Sequence, residues 1–193
     1  MTRRPALFAI DQCIVIAAAD ERDQHHADVA AFLAAVAEAG ARIGIATTLQ
    51  QDLDNASGDR RDQLLGFVKS QSWEVLPGLF TLDYSPLPGD DDEMADTFAE
   101  EPLSQPVAAL VADPCHPAYD TKAYHDYHHY ETAVRNQATA FVTTDGRFIK
   151  RMRSFRSLPV PVLQPGEAAA ILLCPVERRN EWPSVRPLTP GRP

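Results

Sequence analysis

Asp11, Asp52, Asp126 and Asp145 are the residues of this 193-residue chain whose type and placement can do chemistry together. Asp11 closes the apolar run 7–10, and Asp145 follows the apolar run 140–143. Asp52 lies on a helical stretch behind the run 43–46, and Asp126 sits near the start of a helical pattern over 119–136. In a parallel α/β sheet, groups just beyond the carboxyl ends of the strands gather in one crevice. Carboxylates gathered there repel by about 4 kcal/mol per pair at ~4 Å and an effective dielectric of roughly 20. Left alone, some would keep a proton at neutral pH. A divalent cation removes the repulsion: Mg²⁺ or Mn²⁺ takes hard oxygen ligands and keeps several waters. Such an ion activates water and stabilises charge on a phosphoryl oxygen. An all-aspartate set without an evident nucleophilic Ser or Cys therefore favours phosphodiester hydrolysis over acyl transfer. A single Asp at a strand end or helix start is more often only a cap or a turn residue. The set of four, rather than any one member, carries this reading.

The elements that must position these acids follow from hydrophobic periodicity. Apolar residues at 7–10 and 13–16 flank Asp11 and suit a buried parallel strand running into a turn. Val29, Phe32, Leu33 and Val36 follow the i, i+3, i+4, i+7 pattern of a helix that begins near His25 and stops at Gly40. A strand is expected over 43–46, and Thr47 or Thr48 can cap the helix that carries Gln51 and Asp52. Leu64, Leu65 and Val68 mark another helix, and 73–76 a further strand. Tyr127, Tyr130 and Val134 share a face of the helix over 119–136. The spacing then predicts a strand over 140–143, a short basic helix over 148–156, a strand over 160–163 and a helix over 165–172 with proline in its first turn. Strands alternating with helices imply a central parallel sheet with helices on both faces.

The stretch from about 77 to 118 breaks this rhythm. It holds Pro77, Pro86, Pro88, Pro102, Pro106 and the acidic run Asp90-Asp91-Asp92-Glu93, and reads as an irregular insertion with at most a short helix over 94–100. Residues 107–111 fit a strand or a buried helical turn equally. We expect one domain over 1–172 and a Pro- and Arg-rich tail over 173–193. Hydrophobic residues make up 45% and charged residues 23%, as in an ordinary soluble globular protein. No apolar run reaches membrane-spanning length, so no membrane association is expected. Asp11 interrupts the N-terminal apolar stretch too early for a signal peptide. Cys13, Cys115 and Cys174 are odd in number and lack CxxC spacing, which fits free thiols in a reducing cytoplasm. The formal net charge of −9 argues against tight non-specific binding of nucleic acid unless positive charge is collected locally.

Beyond composition, the motifs resemble those of the PIN-domain nuclease family. The segment Phe8-Ala-Ile-Asp11-Gln-Cys-Ile-Val-Ile resembles the family's opening strand with its terminal Asp, and Asp20-Glu-Arg-Asp-Gln-His-His26 its first loop and helix. Asp126-Tyr-His-His129-Tyr-Glu-Thr-Ala133, running on to Ala140-Phe-Val-Thr-Thr-Asp145-Gly-Arg-Phe148, is similar to the family's Asp-x-x-His-x-x-x-Ala helix followed by a strand, Thr-x-Asp and an aromatic. Val160-Pro-Val-Leu-Gln-Pro-Gly-Glu-Ala168 resembles the closing strand and helix. The resemblance covers residues 5–76 and 119–172. It implies a three-layer α/β/α PIN-like fold and a Mg²⁺- or Mn²⁺-dependent endoribonuclease, often the toxin half of a bacterial toxin–antitoxin pair, with homodimers common. In those terms Asp11 is the central metal ligand, Asp126 the third acid and Asp145 the fourth. The chain departs from the pattern at two positions. Cys13 stands where the family usually has Asn, and Asp52 stands where it usually has Glu. Both departures support an alternative: a PIN-like module that binds RNA or protein with weakened or lost catalysis.

Arg147, Lys150, Arg151, Arg153 and Arg156, interleaved with Phe148 and Phe155, can hold the phosphates of a bound strand; a solvated helix face with its aromatics in the core explains them nearly as well. Cys115, His116, His125, His128 and His129 invite a zinc site but lack paired ligand spacing, and a His129 packed beneath the acids fits better. A haloacid-dehalogenase-like phosphatase would need a second Asp at position 13, which is Cys.

Overall fold

The computed structural model describes residues 5–49, 58–78 and 121–174. Asp52, nearly all of the expected insertion with its 94–100 and 107–111 stretches, and the tail beyond Cys174 lie outside these residues. The elements alternate as β1 (Leu7–Ile10), α1 (Gln12–Ala19), α2 (His26–Glu38), β2 (Arg42–Ala46), α3 (Gly58–Ser70), β3 (Glu74–Leu76), α4 (Thr121–Arg135), β4 (Ala140–Val142), α5 (Gly146–Met152), β5 (Val162–Leu163) and α6 (Pro165–Leu173). The five strands form one all-parallel sheet in the order β3-β2-β1-β4-β5.

Alternation along β1 explains why the sheet is covered on both sides. Phe8 and Ile10 join a core with Ile14, Val15, Val29, Phe32 and Val36, and with Ala168 and Leu172 of α6. Leu7 and Ala9 face the opposite way, into a second core built from Tyr127, Tyr130, Phe141, Phe148, Ile149 and Met152. Successive side chains point to opposite faces of a strand, so one four-residue apolar run feeds both layers. The result is the expected three-layer α/β/α arrangement. The aromatic side chains lock by edges: Phe8 meets Phe32 at 5.7 Å and 70°, and Tyr130 meets Phe141 at 5.9 Å and 87°.

Helix limits follow the sequence closely, with two corrections. Residues 13–16, expected to lead into a turn, are the first turns of α1, because the Asp11 carboxylate accepts the N–H of Gln12 at 2.7 Å and caps a helix there. The basic helix expected over 148–156 is Gly146–Met152, since Asp145 caps it by accepting from the N–H groups of Arg147 and Phe148. Among the strands, the one expected over 160–163 is confined to Val162–Leu163, because Pro161 has no N–H to give the ladder. Gln51 and Asp52, expected on a helix, lie outside the described residues. Val29, Phe32 and Val36 of α2 are buried, and Gly40 ends the following turn at a φ of 59° that few other residues adopt.

Chain order places a reversal beside β1. The strands step outward from β1 to β2 to β3, and the chain then returns to the other side of β1 with β4 and β5. The crevice beyond the carboxyl ends of β1 and β4 is therefore the place where side chains from both windings converge. No described helix is long and apolar enough to cross a membrane.

Gly44, between Ala9 of β1 and Glu74 of β3, allows the sheet's close packing on that side. A Cβ there would lie 2.5 Å from Cδ1 and 2.7 Å from Cγ of the buried Leu76. Gly44→Ala should destabilise the fold by about 1–3 kcal/mol through overpacking, read by urea denaturation. Combined with Leu76→Ala it should cost less than the sum of the single changes, because the cavity accepts the methyl group; strict additivity would refute the clash.

Candidate functional site

Asp11 lies at the point of convergence. Its backbone N–H extends the sheet by donating to Val142 O at 3.1 Å, so the residue leaves β1 level with the exit of β4. The residue is 5% exposed, and its side chain is ringed by donors. Oδ1 accepts the Gln12 N–H at 2.7 Å and faces His129 Nδ1 at 3.3 Å. Oδ2 accepts the Thr143 hydroxyl at 2.7 Å and the Cys13 thiol at 3.2 Å. Four donors from α1, α4 and the β4 exit thus meet one carboxylate.

Burial works to raise the pKa of Asp11 and is the largest single influence on it. The hydrogen bond and charge of His129, with the Thr143 and Cys13 bonds, outweigh that effect and hold the carboxyl below its ordinary value. The group is an anion at neutral pH. Its neighbour responds in the opposite sense: burial, then the negative charge of Asp11, pushes the Cys13 thiol up to about 12. Cys13 is therefore a thiol, a weak donor and acceptor, and not a nucleophile.

Thr143, expected only as the end of a strand, is fully buried and central. Its Oγ donates to Asp11, accepts the Asp145 N–H at 3.1 Å and touches Cys13 Sγ at 3.1 Å. Sequence reasoning passed over it because a threonine after a β-strand is ordinary; the Thr-x-Asp spacing was the available signal. His129, buried on α4, occupies the place beneath the acids expected of it. Asp126 precedes it by three residues on the same helix, is half-buried, and so lies on the same side of α4.

The remaining acid, Asp145, is half-buried and caps α5. Asp126 and Asp145 act on a common neighbour, Tyr127. Burial raises the Tyr127 pKa first, Arg151 opposes this through a hydrogen bond and its charge, and the negative charges of Asp126 and Asp145 add to the rise. Arg151 donates to the Tyr127 hydroxyl at 2.7 Å and lies 6.0 Å from its ring centroid, so this guanidinium is anchored to α4. Arg153 pairs with Glu167. Arg147 and Lys150 are exposed on α5, next to Asp145. Phe148 is buried and Phe155 half-buried, so the aromatics interleaved with this cluster pack inward.

The acids expected to hold a metal are thus arranged unequally. Asp11 is fixed beyond β1 and β4 by its own bonds, while Asp126 and Asp145 are half-buried and both add negative charge that raises the Tyr127 pKa. Asp52 lies outside the described residues. Among the described residues, no three His, Cys, Asp or Glu side chains gather closely enough to hold a metal ion. His125 has no described side chain, and Cys115 and His116 lie outside the described residues, so the zinc alternative rests on sequence alone.

Two outcomes follow from these environments. Asp11→Asn should cost about 1–3 kcal/mol at neutral pH, the price of weakened charge-assisted bonds in a buried site. A carboxyl with a depressed folded pKa adds stability that is present above its unfolded value, about 3.9, and lost as pH falls through the folded value. Denaturation midpoints of wild type and variant should therefore converge in acid below about pH 4; a gap that stays constant would show that Asp11 is not the source. At pH 8, iodoacetamide should label Cys13 roughly a thousandfold more slowly than an ordinary thiol, as its thiolate fraction requires. Peptide-resolved mass spectrometry reads this, and rapid labelling of the folded protein would contradict the protected thiol.

No protein-family model matches the chain, and no curated protein matches it. Among solved structures, it is similar to the crystal structure of VapBC2 from Rickettsia felis bound to a DNA fragment from their promoter, at 10% identity, covering 82% of this chain and 98% of that one with a TM-score of 0.44.

Proposed function

We propose that the crevice beyond β1 and β4 is the active site of a metal-dependent endoribonuclease, with Asp11, Asp52, Asp126 and Asp145 as its acids. One observation carries this reading: a buried carboxylate at the switch point of a parallel sheet is kept ionised, below its ordinary pKa. A structural carboxyl in such a place can equally be neutral; a cation ligand must be deprotonated. The motif resemblance supplies the substrate class.

The donor chemistry fits Mg²⁺ or Mn²⁺ in type and charge, since the acids offer hard oxygens and Asp11 is anionic. The described acids alone do not close a three-ligand set. In the arrangement the resemblance implies, Asp11, Asp126 and Asp145 would hold the ion only with Asp52, which lies outside the described residues, completing the acidic set. When bound, the cation neutralises the acids, activates water and draws charge from the phosphoryl group. The protein's own contribution is positional. Thr143 and His129 orient the two oxygens of Asp11. Arg147 and Lys150 offer exposed charge for the phosphates of an incoming strand, which answers the net charge of −9 locally. Arg151, tied to Tyr127, steadies the helix that carries them. The same resemblance suggests an antitoxin-like protein partner and a homodimer.

A specific observation favours a second reading, a PIN-like module that binds RNA or protein without cleaving. The Asp11 carboxylate already accepts from four donors, one of them the departing residue Cys13.

Incubating a mixed RNA pool with Mn²⁺, Mg²⁺ or EDTA separates the two. Cleavage should require the cation and fall by about 100-fold or more in Asp126→Asn, a half-buried position whose loss should leave the fold intact. Metal binding by calorimetry without cleavage would establish the binding module instead. For RNA binding, Arg147→Ala and Lys150→Ala should each flatten the dependence of log affinity on log salt by about 1. Unchanged slopes would remove α5 from the interface.

A further inference from the structure

We propose that Cys13 is a positioning residue: its sulfur clamps the first acid, Asp11, to the 143–145 segment that carries the last acid, Asp145. The proposal rests on the active site just described, but the clamp can be measured without it. One sulfur atom touches both strand exits. Sγ lies 3.2 Å from Asp11 Oδ2 and 3.1 Å from Thr143 Oγ, and it accepts the Thr144 N–H at 3.2 Å. Thr143 then accepts the Asp145 N–H at 3.1 Å, which continues the chain of bonds to the cap of α5.

The position calls for a small side chain that both donates and accepts. β4 ends at Val142, so the N–H of Thr144 lies beyond the strand ladder, and the sulfur is its acceptor. The single thiol proton serves Asp11 Oδ2 or Thr143 Oγ, and the Thr143 hydroxyl proton serves Asp11. Every polar atom in the cluster thereby has a role, as a buried network requires. Alanine would remove both the acceptor for Thr144 and a donor to Asp11. Serine keeps one donor and one acceptor in the same place. A cysteine that is a poor ligand for a hard cation is thus a competent bridge between two carboxylate-bearing segments.

Amide hydrogen exchange on the full chain tests the clamp in the absence of metal and RNA. In Cys13→Ala, exchange at Thr144 and Asp145 should quicken by roughly tenfold, the size of one lost hydrogen bond, while core amides such as Phe8 keep their rates. Cys13→Ser should return the Thr144 rate to within a few-fold of wild type. In cleavage assays, Cys13→Ala should lower kcat and leave KM in place, with Ser restoring kcat. Unchanged exchange at Thr144, equal rates in the Ala and Ser variants, or uniform acceleration of all core amides would each overturn the clamp. Wild-type protein that cleaves no RNA would overturn the nuclease reading, and the exchange rates would still decide the clamp.

Discussion

The bond between the Asp11 carboxylate and the Thr143 hydroxyl, 2.7 Å long and fully enclosed, ties together the two windings of the sheet. β1 and β4 are adjacent in space and separated by 132 positions along the chain. The loop between them must be closed before that contact can form, so its partners have to hold once it does. Backbone pairing of Ile10 with Val142 sets the register, and the side-chain bond just past it fixes where both strands stop. α1 and α5 then start from those exits, each with an aspartate as its cap. Two helix N-termini favour negative charge nearby, which helps explain how a sheet end tolerates so much of it.

Much of this was legible in the sequence because its signals are local and periodic. The strand at 7–10, the apolar face of α2 and the stop at Gly40 follow from side-chain spacing and one left-handed backbone position. The boundaries of α1 and α5 were less legible, because both depend on a cap. An Asp ahead of an apolar run reads equally as a strand end, and only the accepted N–H bonds decide between the two. Thr143 and Cys13 were opaque for a different reason. Their importance is a matter of which atoms meet across 130 residues, and neither periodicity nor propensity reports on that. Arg151 belongs with them: its sequence neighbours suggest a phosphate contact, and nothing in them announces the bond it also makes to a phenol on another helix.

The central tension in the site concerns the capacity of a single carboxylate. Two oxygens offer about four lone-pair positions, and Asp11 meets four donors. They are unequal. The Gln12 N–H and the Thr143 hydroxyl approach to 2.7 Å, whereas Cys13 and His129 stand at 3.2 and 3.3 Å. The short pair determines the orientation of the group and belongs to the fold. The long pair includes a thiol, which is a weak donor. Of the four bonds, those to Cys13 and His129 are therefore the ones a competing ligand would displace most readily. The bonds that orient the carboxylate are thus not the ones a ligand would have to displace, and a residue this deeply built into the fold keeps two weaker bonds beside two strong ones.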